Sequence, residues 1–400
     1  AADADPVGAM LRATSAGATV DPWRGAQLPD GGEGRRLLLQ GWLAHVSDTP
    51  TPFLEWRTEL LAGWLVTSLA GVPAALLADQ IRLLRDRGGG SFPLLLHDVT
   101  IDPAMLLYLD GATSRAGAPN ENHARELLEL FALGTGRGEA PQPYSESDVA
   151  AAAVALTGWT VRRTGEARFV AARHDDTPQT LLGASGVHDV ATVIAAIVEH
   201  PEHDRFVADR IAREVVGTAP TVDGDRRPDP ATVDVIAEAY RTNDRSIDGA
   251  IEAAARLVFD GGPTPTRRAI VTAPIRWAVS CARILGVDLA DAVRRADRHL
   301  QEMGQIPFTP PTVAGWPGGE AWLTTGALVA RTNVAASIAR GVSDGHPVST
   351  ALSDGDLDQV ATLLGIPESF TATTAAAIRG ASDPSGALTL ALVSPEFLLT

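Results

Sequence analysis

The run Asn120-Glu-Asn-His-Ala-Arg-Glu-Leu-Leu-Glu-Leu-Phe-Ala-Leu-Gly134 reads as an amphipathic helix with both ends marked. Pro119 leaves Asn120 as the N-cap, and Gly134 supplies the stop. At about 100° per residue, Glu126 falls about 40° and Glu129 about 20° from Asn122. Three polar side chains therefore share one narrow stripe, flanked by Glu121 and Arg125. Ala124, Leu127, Leu128, Leu130 and Phe131 take the opposite face and require a core to pack on. His123 lands at the apolar border and reads as a packed, core-edge histidine.

Working outward, the same 3.6-residue periodicity recurs along most of the chain. Apolar residues from Arg35 to Arg87 are spaced helically. Further helices are expected over Pro73–Asp86, Ser145–Leu156, Val187–Glu199, Pro201–Val216, Ala231–Arg241, Ile247–Phe259, Pro274–Leu285 and Leu289–Met303. Glu320–Gly341, Asp356–Leu364 and Ala387–Leu399 add more near the end. Strand-like pieces are confined to Trp159–Arg163 and Arg168–Ala171. The fold expected is mainly α: a single large irregular helical domain over 35–400, with long ordered loops and at most a small β-hairpin. Residues 1–34, mixing Gly, Pro and Asp, read as an extended segment over its surface. Gly88–Pro93, Gly111–Pro119 and Gln305–Gly319 read as loops.

Composition narrows the chemistry. All 33 basic residues are Arg, against 49 acidic ones, for a net charge of −16. Without Lys there is no Schiff-base chemistry and no Walker-type phosphate lysine. The acidic balance, with no basic run, argues against nucleic acid as a partner. A single cysteine, Cys281, excludes intramolecular disulfides and multi-cysteine zinc sites, and it reads as a buried, inert thiol. No apolar run has the length of a membrane span. The sequence begins Ala1-Ala-Asp-Ala4, which is consistent with a removed leader.

Several clusters could carry chemistry. Glu126 and Glu129 are like charges one turn apart, a mildly destabilising arrangement unless a cation or donor lies between them, although a solvated helix face is the plainer alternative. Arg173-His174-Asp175-Asp176 puts an imidazole beside carboxylates, suited to a base or a metal ligand, or simply to a polar turn. His200-Pro-Glu-His203 looks like a metal pair but suits a helix start better. Gly315-Trp-Pro-Gly-Gly-Glu-Ala-Trp322 is a turn presenting two indoles, which would wall a site or plug the core. The glycine runs at Gly31–Gly34 and Gly134–Gly138 lack the strand-to-helix context of a nucleotide loop.

The central helix, with Asp102-Pro-Ala-Met-Leu-Leu-Tyr-Leu-Asp110 before it, resembles the signature of a bacterial family of unknown function, DUF1800. Further matches follow in order: Ser145–Asp148, Leu156-Thr-Gly-Trp-Thr160, His174-Asp175, Leu181-Leu-Gly183, Met303-Gly-Gln305, Pro310-Pro-Thr-Val-Ala-Gly-Trp-Pro-Gly-Gly319 and Ala330-Arg-Thr-Asn333. The likeness spans roughly residues 35–340. It implies an exported protein, extracytoplasmic or secreted. It also implies a Trp-His-x-His-Phe run before the signature, where this chain has Ala62-Gly-Trp-Leu-Val-Thr-Ser-Leu69. Trp64 is retained and both histidines are missing, which implies a divergent member.

Together these readings lead to an expected hydrolase or related enzyme acting on a polar or anionic substrate, of glycan, phosphate or sulfate type. Glu126, Glu129, His174 and Asp175 are its candidate catalytic groups. Arg115, Asn120, Asn122, Arg125 and Trp316 are its candidate substrate-binding groups, and a divalent metal ion is the cofactor class such residues would accept. The alternative is a non-catalytic exported binding or assembly protein in which the polar cluster is structural.

Overall fold

The computed structural model describes residue 5 and residues 7–11, 21–136, 141–221, 226–260, 270–289 and 297–399. The architecture is mainly α, with short antiparallel hairpins at Trp159–Val161 with Ala167–Phe169, Gln179–Leu181 with Ala184–Val187, and Ala219–Pro220 with Arg226–Arg227. Only the first of these is legible as alternation. The second turns on Leu182 and Gly183, both at positive φ (53° and 82°), so the turn is made by backbone conformation and not by an obvious apolar pattern.

Proline punctuates the helices. It occupies one of the first two positions of Pro52–Trp64, Phe92–Thr100, Pro103–Tyr108, Pro201–Val215, Pro230–Thr242, Pro274–Leu285, Pro347–Asp354 and Pro384–Leu392. There the missing N–H costs nothing and the fixed φ is already helical. The Gly88–Pro93 loop expected from sequence accordingly ends early, because a helix begins at Phe92. Of the helix expected over Leu289–Met303, the observed part is Asp297–Glu302, and residues 290–296 lie outside the described residues. Within the first 34 residues, 7–11 are helical and Trp23 is buried, its indole donating to the Leu38 carbonyl at 2.9 Å, while 1–4, 6 and 12–20 lie outside the described residues.

Two hydrophobic clusters organise the packing. One gathers Trp42, Leu43 and Trp23 with the late helices, including Trp277, Cys281, Val334 and Leu388. The other gathers Leu61, Trp64 and Phe92 with the middle of the chain, including Leu127, Phe131, Val207 and Ile251. The Ala74–Arg87 helix serves both, giving Leu77, Ala78 and Ile81 to the first and Leu84 to the second, and Tyr108 packs against each.

The quoted run begins as an α-helix over Glu121–Glu126 and widens into a π-helix over Leu127–Leu133. Such i→i+5 segments are rare and concentrate at functional sites. Ala124, Leu127, Leu128 and Phe131 are buried as the periodicity predicts, and the wider turn also buries Ala132 and Leu133. Leu130 is half-buried. Trp64 locks the segment by donating its indole N–H to the Phe131 carbonyl at 3.1 Å.

Candidate functional site

The helix start is held by its two asparagines. Asn120 caps it through the Asn122 N–H at 2.9 Å, and its own amide donates to the Asp110 carbonyl at 3.1 Å. The Asn122 amide reaches the Leu109 carbonyl at 3.3 Å. Both side chains thus bind the helix to the corner at Asp110, whose φ of 59° turns the chain back. Below them His123 is buried, and burial lowers its pKa to about 4, so it is neutral. Its ring fills the space over Gly111, where a Cβ would lie 2.7 Å from Nδ1.

Along the outer stripe the charges differ in how far they are occupied. Arg125 forks onto Glu146, Nη1 to Oε1 at 2.8 Å and Nη2 to Oε2 at 2.7 Å, with Glu121 at 3.5 Å. Glu129 accepts from the Tyr144 hydroxyl at 3.0 Å. Glu126 is half-buried and forms no hydrogen bond or ion pair among the described residues. Burial first, and the Glu129 charge second, push its carboxyl above the usual range, against a smaller pull from Arg125. It also acts electrostatically on Tyr108, whose phenol is shifted up mainly by its own burial.

His174 belongs to a separate seat built by the Leu156-Thr-Gly-Trp turn. Its Nδ1 lies 2.9 Å from the Thr157 carbonyl, which can only accept, so the Nδ1–H donates there. The Thr157 hydroxyl accepts the Asp175 N–H at 2.9 Å, and Phe169 meets the imidazole edge-on at 5.1 Å. Gly158, at φ 96°, is required here because a Cβ would lie 2.8 Å from the His174 Cβ. Asp175 bonds to the Thr177 N–H, and its interactions with Thr177 hold its carboxyl below the usual range. Among the described residues no hydrogen bond or ion pair joins His174 or Asp175 to Glu126 or Glu129.

Arg115 is exposed in a tight turn, its N–H paired to the Ala118 carbonyl at 3.3 Å. Trp316 is half-buried and lies beside Gly63. Trp322 has a buried indole N–H with no hydrogen-bond partner among the described residues. His200 accepts from the Glu202 N–H as a helix cap, and His203 is buried between the Ala132 carbonyl and the Tyr240 hydroxyl, each at 3.1 Å. Among the described residues no group of three or more His, Cys, Asp or Glu side chains is placed to hold a metal ion. No helix among them is long and apolar enough to cross a membrane.

The resemblance implies a histidine pair one and three residues after Trp64, positions taken here by Leu65 and Thr67. Leu65 is fully buried in the apolar cluster. The Thr67 hydroxyl donates to the Gln80 Oε1, and the Gln80 amide donates to Asp102 at 3.1 Å. Asp102 also caps its own helix by accepting from the Ala104 and Met105 N–H groups at 2.9 and 3.2 Å. Burial raises this carboxyl to about 6 in spite of those donors. The sequence reading missed both this buried chain and Tyr144. The Asp-Pro pair at 102–103 is the signal for a cap, whereas nothing local marks Gln80 as its partner.

These elements describe a helical protein with a half-buried carboxylate, Glu126, that has no partner among the described residues, on a partly π-helical segment. The chain belongs to the family described as Protein of unknown function (DUF1800), whose model matches residues 8–399. No curated protein and no solved structure matches it.

Proposed function

We propose that this is an exported enzyme acting on a hydroxyl-rich, glycan-like ligand, with Glu126 as its acid–base group and Glu129, held by Tyr144, as the accompanying carboxylate. The observation that carries this reading is Glu126 itself. A half-buried carboxyl with no hydrogen-bond or ion-pair partner among the described residues, raised by burial and by a neighbouring like charge, keeps its proton to higher pH than an ordinary carboxyl and can give it to a bound oxygen. Two carboxyls in unlike surroundings can divide the acid and base roles. Arg125 is already forked onto Glu146, which favours neutral hydroxyl groups over phosphate or sulfate at this stripe. The seat of His174 would contribute only if a large ligand reached both places.

The test is a panel of oligosaccharides and aryl glycosides assayed for turnover and for binding, with wild type beside Glu126→Gln. Turnover on at least one member, reduced about 100-fold or more by the substitution with the melting temperature retained, is the expected result. A second reading has its own support: the Arg125–Glu146 and Tyr144–Glu129 ties bind the acidic helix to the segment that follows it, as a structural network in a non-catalytic binding or assembly protein would require. No turnover and no glycan binding, together with a large stability loss in Glu129→Gln, would select that reading.

A further inference from the structure

Away from the acidic helix, the late helices form a cleft of about 530 Å³ that is open to solvent on one side. Its apolar wall is made by Trp277, Ile284, Leu364, Ile366 and Phe397. Trp277 is fixed, because its indole N–H donates to the Leu392 carbonyl at 2.8 Å. Among the described residues the ionisable groups lining the cavity are both acidic, Glu368 and Glu396, with no basic side chain beside them in the lining. Glu396 is oriented by the Thr371 N–H at 2.9 Å and the Thr374 hydroxyl at 3.0 Å, whereas Glu368 is exposed and forms no bond among the described residues. Arg331 stacks over the same indole at 5.6 Å, but it is buried, contributes nothing to the lining and donates to the Thr272 carbonyl at 2.8 Å.

A volume of this size lies in the range of small-molecule sites, which combine an apolar lining with a few placed polar groups. An oriented carboxylate and a free one beside an aromatic wall complement a positive charge carried on an apolar body. We propose that this cavity binds a small apolar ammonium compound, its hydrocarbon part against Trp277, Ile284 and Phe397 and its ammonium group between Glu396 and Glu368. The proposal is independent of the reading given for Glu126, since no residue is shared.

The probe is 2-phenylethylamine, compared with its neutral near-isostere 2-phenylethanol, by calorimetry and tryptophan fluorescence on the full chain. The amine should bind at least about tenfold more tightly than the alcohol, a difference set by its charge. Glu368→Gln should reduce that preference, and Glu396→Gln should abolish it. Because Glu396 also supports the turn at Thr371, a second variant keeps the test open. Ser280→Trp, at an exposed position of the lining, should block the amine while the melting temperature stays unchanged. Equal binding of amine and alcohol, binding of neither, or a preference that survives both glutamine substitutions would overturn the proposal.

Discussion

Asp102 and Glu126 belong to two polar regions of the same part of the molecule, and burial raises the pKa of both carboxyls. Around Asp102 the region is closed: two backbone N–H groups and the Gln80 amide converge on one oxygen, and Thr67 completes the chain behind Gln80. Around Glu126 the region is open. Glu129 has Tyr144 and Arg125 has Glu146, but Glu126 has no such partner among the described residues. A buried polar group whose donors are all met contributes to the fold, and removing it leaves orphans. A half-buried charge that is left unmatched costs the fold free energy, and an external partner can recover it. The difference therefore separates structure from function among side chains that look alike in one dimension.

The comparison breaks most readily at Asp102. Asp102→Ala strands three donors and deletes a helix cap, so urea unfolding should show a loss of about 3 kcal/mol. A loss below about 1 kcal/mol would remove the distinction between the two regions. Next in size is a pH effect with a definite sign. The folded pKa of about 6 lies above the ordinary 3.8, so the folded state holds this proton more tightly. The resulting stability is complete below about pH 4 and is lost as pH rises through about 6, a span on the order of 2–3 kcal/mol. Asp102→Asn keeps an acceptor and should flatten that segment of the stability curve. A slope unchanged from wild type would assign the titration to another group.

Glu126→Gln should leave the melting temperature unchanged or slightly raised. It replaces a carboxylate, disfavoured in its ionised form, by a neutral group of the same shape. A clear drop would place Glu126 among the structural groups. The smallest effect is expected for Arg125→Ala, which should move the melting temperature by about 2 °C or less, because the carboxylates it pairs with, Glu146 and Glu121, are both exposed. A markedly larger fall would show the outer stripe to be a lock of the Asp102 kind.

Much of the helical framework is legible from local pattern. The Ile247–Phe259 and Pro274–Leu285 helices have the ends expected for them, since an N-cap, a proline or an apolar stripe is a property of neighbouring residues. The failures have the same root. Phe92–Thr100 and Pro103–Tyr108 are not among the helices expected from the sequence: the start of the first falls in a stretch that reads as a loop, Gly88–Pro93, and the second is only six residues long, too short to show a helical period. The π-helical widening escaped the angular arithmetic, which placed Glu126 and Glu129 on one stripe by assuming a uniform α-helix. His174 and its carboxylate neighbour could be suspected from their adjacency. Their seat on Thr157 and Gly158 could not, since it depends on residues brought together across a hairpin.

By itself, the sequence determined the helical class, the cap and stop of the central segment, the burial of Cys281 and His123, and the absence of lysine chemistry, because each follows from composition or from contacts within a few turns. Only the tertiary structure decided which polar side chains find partners. Gln80 meets Asp102 across 22 residues and Tyr144 meets Glu129 across 15, while Glu126 meets none among the described residues. Hydrogen-bond satisfaction is set by where distant segments pack, and no local pattern encodes it.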